Sequence, residues 1–109
     1  MSASIPPLRN IRLLIEYDGT GYSGWQRQNE QATVQGAVEA ALKSILGAIP
    51  SLVVAGRTDT GVHALGQVVN FQTRSTIEDW KFCRALNNYL PQDVSIHRSE
   101  EVDLDFNAR

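Results

Sequence analysis

The sequence holds 109 residues, 42% apolar and 20% charged, with a formal net charge of −2. These values fit one soluble globular domain. They exclude the strongly basic balance of many nucleic-acid binders and a disulfide-stapled scaffold, because Cys83 is the single cysteine; no apolar run reaches bilayer-spanning length. The first ten residues lack a basic region followed by an apolar one, and with an unpaired cysteine this points to the cytoplasm and to no membrane partner.

Residues 1–9 read as a flexible leader, and residues 10–105 as one domain. Ile11, Leu13, Ile15 and Tyr17 alternate with Arg12, Leu14 and Glu16, the period of a strand with one buried face. Residues 18–32 are rich in Gly, Ser, Gln and Asn and break any regular period, so they form a long loop, a feature that is functional or disordered in small domains. Val34, Ala37, Val38, Ala41, Leu42, Ile45 and Leu46 mark a helix stripe, with Thr33 as N-cap and Gly47 as stop. A short strand over residues 52–55 leads to a turn at 58–61, and a third strand spans 65–73 with Leu65, Val69 and Phe71 on one side. Ser75 and Glu78 have capping-box spacing for a second helix, whose face is read as Ile77, Trp80, Cys83, Leu86 and Leu90, with Pro91 ending it. Val94 and Ile96 open a fourth strand to about residue 98. The order βαββαβ predicts an α+β, ferredoxin-like domain: an antiparallel sheet with two helices on one face and the other face open to a ligand.

Three stretches carry chemistry. Gly19-Thr20-Gly21-Tyr22-Ser23-Gly24 matches the spacing of a dinucleotide fingerprint, but the next helix starts too late and the topology is not doubly wound. Trp25, Gln26, Arg27 and Gln28, with Tyr22, combine aromatic planes, amides and a guanidinium, groups that stack on and hydrogen-bond unpaired bases; the plainer reading is a loop pinned by one buried tryptophan. Ala55-Gly56-Arg57-Thr58-Asp59-Thr60-Gly61-Val62-His63-Ala64 confines an acid and a base between glycines after a strand. Arg57 could hold Asp59 ionised, as a nucleophile or base requires, yet an aspartate there also serves as an ordinary turn residue. His63 and His97 lack metal-ligand spacing, so no metal is expected; Cys83 reads as core, and Glu100, Glu101, Asp103 and Asp105 read as a solvated acidic edge. The ten basic residues are eight Arg and two Lys, so a locally basic, phosphate-binding face is compatible with the negative total.

Tyr17-Asp18-Gly19-Thr20-Gly21-Tyr22-Ser23-Gly24-Trp25-Gln26-Arg27-Gln28, the Ala55 to Ala64 run and Phe106-Asn107-Ala108-Arg109 together resemble, in order and spacing, successive motifs of the TruA type of tRNA pseudouridine synthase. The resemblance implies an enzyme without metal or organic cofactor that isomerises uridine to pseudouridine in the anticodon stem-loop of tRNA and works as a homodimer. It implies Asp59 as the catalytic aspartate and Arg57 as the side chain that enters the space vacated by the everted base. Tyr22, Trp25, Gln26, Arg27, Gln28, Thr58 and His63 are the expected RNA contacts. Thr60 stands where the family commonly has alanine. Residues 106–109 would begin a second half bearing a tyrosine motif, so two rival readings are a non-catalytic RNA-binding module and an inactive truncated domain.

Overall fold

A computed structural model describes residues 5–17, 34–54, 64–91 and 93–108. Strand β1, Arg9–Tyr17, follows from the alternation that defines it: Ile11, Leu13, Ile15 and Tyr17 all point into the core. Helix α1, Val34–Leu46, buries Val34, Val38, Ala41 and Leu42 along one stripe. Its end is set by Gly47, whose φ of +83° suits a residue without Cβ and whose N–H donates to the Lys43 carbonyl at 2.9 Å. Then come β2, Val53–Val54; β3, Ala64–Thr73; α2, Asp79–Asn87; and β4, Val94–Val102.

The four strands form one sheet in the order β2-β3-β1-β4, with every neighbouring pair antiparallel. This is the α+β, ferredoxin-like arrangement the sequence predicts, with β3 inserted between the parallel strands β1 and β2. The core lies between one sheet face and the two helices. There β1 meets Val69 and Phe71 of β3, Val94 and Ile96 of β4, and Phe82 and Leu86 of α2; the Phe71 and Phe82 rings pack edge to face, centroids 5.7 Å apart. Each fully buried side chain of this size contributes about 1.5–3 kcal/mol, so β1, buried along its whole inner face, is the strand the fold depends on most.

Three local expectations change. Helix α2 starts at Asp79, and the Ser75–Glu78 capping box does not form: Glu78 is the N-cap without a side-chain cap bond, while the Ser75 hydroxyl accepts from the Ile77 N–H. Trp80, read as core-facing, is 52% exposed with the Lys81 ammonium 5.2 Å from its ring centroid; Phe82 takes the buried place because the helix turns Phe82 and Leu86, four apart, to the sheet. Strand β4 runs to Val102, beyond residue 98; Glu101, Asp103 and Asp105 are exposed as the solvated edge requires, but Glu100 and Glu101 are ion-paired. Glu100 pairs with Arg12 across the strands, and Glu101 accepts from Arg9 Nε at 3.0 Å.

Arg9 also donates through Nη1 to the Ser75 and Ile77 carbonyls, 2.7 Å each, tying the start of β1 to the chain before α2. The outer edge of β4 is covered by α2: Asn87 Oδ1 accepts from the Ile96 N–H, Asn87 Nδ2 donates to the Ile96 carbonyl, and Asp79 Oδ2 accepts from the Glu101 N–H. Side chains thus satisfy edge groups that would otherwise invite another strand.

Candidate functional site

The topology brings three strand ends together. Tyr17, the last residue of β1, is the Cα partner of both Ala64, the first residue of β3, and Val94, the first of β4. Strand β2 runs parallel to β1 and ends at Val54, so residues 18–33 and 55–63 are both entered from strand termini at this one end of the sheet. Brought together by the fold are therefore the stems of the two long sequence motifs, which lie 38 positions apart at Tyr17 and Ala55 in the chain.

The same end is irregular on both sides of β1. The β1–β3 register skips a residue between Ile15 and Glu16, and the β1–β4 register skips one between Leu14 and Ile15, leaving Gly66 and His97 as the extra residues. Paired bulges at one level sharpen the local twist and re-aim side chains. His97 meets Glu16, Nε2 to Oε2 2.6 Å, with both side chains about half exposed. His97 is thus an ordinary polar residue with a carboxylate partner, one position before Tyr17 in β1.

All of the predicted site residues, Tyr22, Trp25, Gln26, Arg27, Gln28, Arg57, Thr58, Asp59 and His63, lie outside the described residues, as does the fingerprint-like glycine run 19–24. Among the described residues, no group of three or more His, Cys, Asp or Glu is placed to hold a metal, and no helix is long and apolar enough to cross a membrane. Cys83 is half-buried: its thiol donates to the Ile96 carbonyl at 2.9 Å, and burial pushes its pKa up, which makes it a packing residue rather than a nucleophile.

The open face of the sheet holds what sequence reasoning missed. Asn10 and Asn70 are 0% and 3% exposed although they point away from the helices, because the chain after β4 folds back over them. Asn10 Nδ2 donates to the carbonyls of Asp103 (2.9 Å) and Phe106 (3.0 Å); Asn70 Nδ2 donates to Asn10 Oδ1 (3.0 Å), and Asn70 Oδ1 accepts from the Ala108 N–H (2.9 Å). The Arg12 guanidinium lies 5.2 Å from the Phe106 ring centroid. Period-two reading marks Asn10 and Asn70 as solvent-facing; the one available signal was the apolar Phe106 so soon after an acidic run, which needs a surface to cover.

With this geometry in view, the comparisons with known proteins become specific. A family model described as tRNA pseudouridine synthase matches residues 13–109, which takes in both strand-end motifs and the folded-back segment. The chain belongs to the tRNA pseudouridine synthase family. It is 58% identical over 102 residues to tRNA pseudouridine synthase A of Caldicellulosiruptor saccharolyticus, covering 94% of this chain and 42% of that protein. The corresponding proteins of Acetivibrio thermocellus and Chlorobium luteolum are each 54% identical, over 102 and 103 residues. The chain thus spans about two fifths of the length of the curated relatives it matches. The family resemblance drawn from the three motifs is borne out over nearly the whole chain.

Proposed function

We propose that this chain is the aspartate-bearing part of an enzyme that isomerises uridine to pseudouridine in tRNA, with Asp59 acting on the target nucleotide and Arg57 holding it everted. The observation that carries the reading is the convergence of the stems of segments 18–33 and 55–63 at one end of the sheet, in a chain that belongs to this family over residues 13–109. A stacked uridine hides its glycosidic bond, so the base must leave the helix before reaction. The guanidinium of Arg57 fills the vacated space and, two residues from Asp59, favours the ionised carboxylate. That carboxylate, as nucleophile or base, promotes cleavage of the N1–C1′ bond. The uracil turns, C5 bonds to C1′, the hydrogen on C5 is released as a proton and N1 regains one, so the change is an isomerisation that needs no external oxidant or reductant. Tyr22, Trp25, Gln26, Arg27, Gln28, Thr58 and His63 supply stacking and hydrogen bonds to the everted nucleotide and its neighbours.

In this reading the substrate is the anticodon stem-loop of tRNA, the working unit is a homodimer in the cytoplasm, and a segment continuing from residues 106–109 provides the rest of the cleft. The test uses tRNA transcripts labelled with tritium at C5 of uridine, from which each turnover releases one label to water. They are incubated with the 109-residue chain alone and with residues 1–109 joined to the following segment of the Caldicellulosiruptor relative. Release from the joined protein, mapped to the anticodon arm, supports the reading. Tight binding of unstructured RNA without any release favours a binding module instead.

A further inference from the structure

The segment after β4 is held differently from the rest of the fold. Apolar cover over a sheet face tolerates sliding, whereas hydrogen bonds to successive backbone groups specify one register. Here two buried amides engage the carbonyls of residues 103 and 106 and the N–H of residue 108. Asn10 uses both of its donor hydrogens and its oxygen, and Asn70 joins it to the Ala108 N–H, so the two amides link three backbone groups of the segment to the sheet. Burial of the pair depends on this segment, since the open face carries no helix.

The path also has a direction. Residue 103 follows β4, the Asp103 and Phe106 carbonyls sit against Asn10 of β1, and Ala108 sits against Asn70 of β3. Asn70 is the Cα partner of Val53, two positions before residue 55, where the segment carrying Asp59 begins.

We infer that Asn10 and Asn70 are positioning residues: the amide pair moors segment 103–108 in one register on the open face and ties it to the root of the β2–β3 connection that carries Asp59. The catalytic half of this inference rests on the function proposed above. The mooring half stands on the described geometry.

Hydrogen exchange on the 109-residue chain tests the mooring, comparing wild type with Asn70→Leu and with Ala108→Pro. The second variant removes the donated N–H from the segment and leaves the sheet intact, so the test survives if Asn70→Leu fails to fold. Amides of 103–107 should exchange about tenfold faster or more in the variants, while those of Leu13 and Val69 keep their rates. Equal exchange across 103–107 in wild type and Ala108→Pro overturns the mooring. In the joined protein, Asn70→Leu and Ala108→Pro should lower kcat about tenfold per folded molecule, with the folded fraction fixed by circular dichroism and urea denaturation and KM for tRNA kept within about threefold; a general loss of folded enzyme disappears on that normalisation. Unchanged kcat in Ala108→Pro overturns the positioning role. A wild-type joined protein that releases no tritium sinks the activity reading and the catalytic half with it, and exchange still decides the mooring.

Discussion

At the scale of single residues, chemistry and packing leave different traces in sequence. Asp59 and Arg57 are singled out by the family resemblance of the run that holds them, since an acid and a base between glycines read equally as an ordinary turn. Cys83 was readable as a packing residue, and its surroundings predict a behaviour. With its pKa raised by burial, the thiol should react with iodoacetamide much more slowly in the folded chain than in urea at pH 8. The same shift sets a sign for stability. Burial favours the neutral thiol, so its contribution is complete at neutral pH and is lost as pH rises past the ordinary cysteine value of about 8.5, where the unfolded thiol ionises first. Equal alkylation rates in the two states would contradict this placement. Asn10 and Asn70 were not legible at this scale. Each occupies a polar position of an amphipathic strand, and nothing local to either residue announces the segment that covers it from more than 30 positions away.

At the scale of elements, the pattern of apolar residues was sufficient wherever one side chain period prevailed. Strand β1 and helix α1 show this: the helix bounds agree with the stripe from Val34 to Leu46, and Gly47 adopts the left-handed conformation its position suggested. Replacing Gly47 with alanine meets no atom within 4 Å, so its cost is conformational alone, about 1 kcal/mol by urea denaturation. Truncating Leu42 to alanine, by contrast, empties part of the core and should cost about 2–5 kcal/mol in the same measurement. A Gly47→Ala loss as large as that of Leu42→Ala would mean that this helix end packs in a way the geometry does not allow. Helix α2 was harder to read because the three-residue stripe through Ile77, Cys83 and Leu86 also takes in Trp80, while the buried pair Phe82 and Leu86 follows a four-residue step. The extension of β4 was hidden for an electrostatic reason: Glu100 and Glu101 look unpaired until the register sets Arg12 opposite Glu100 and Arg9 reaches Glu101 from beside its partner Ile11. Both pairs are partly exposed, so their worth is modest and screened by salt.

At the scale of the whole molecule, the formal charge of −2 on a chain with eight arginines argues against indiscriminate RNA binding. If the arginines meet phosphates, the affinity of the joined protein for tRNA should fall as salt rises, the logarithm of the binding constant declining by about 0.7–0.9 per phosphate contacted for each tenfold rise in salt. A flat dependence would remove tRNA phosphates from the interface. The fold explains why two motifs so far apart in sequence belong together: β3 inserts between β1 and β2, and all three strands present the ends that carry the motif segments on one side of the sheet. The most direct check is therefore the release of C5 tritium from tRNA by the joined protein and by its Asp59→Ala variant, with matching circular dichroism for the two. Release by the former, and a loss of at least about a thousandfold in the latter, is the expected result for a group acting in the transition state. Equal release from both would show that the carboxyl group of Asp59 is not what drives the rearrangement.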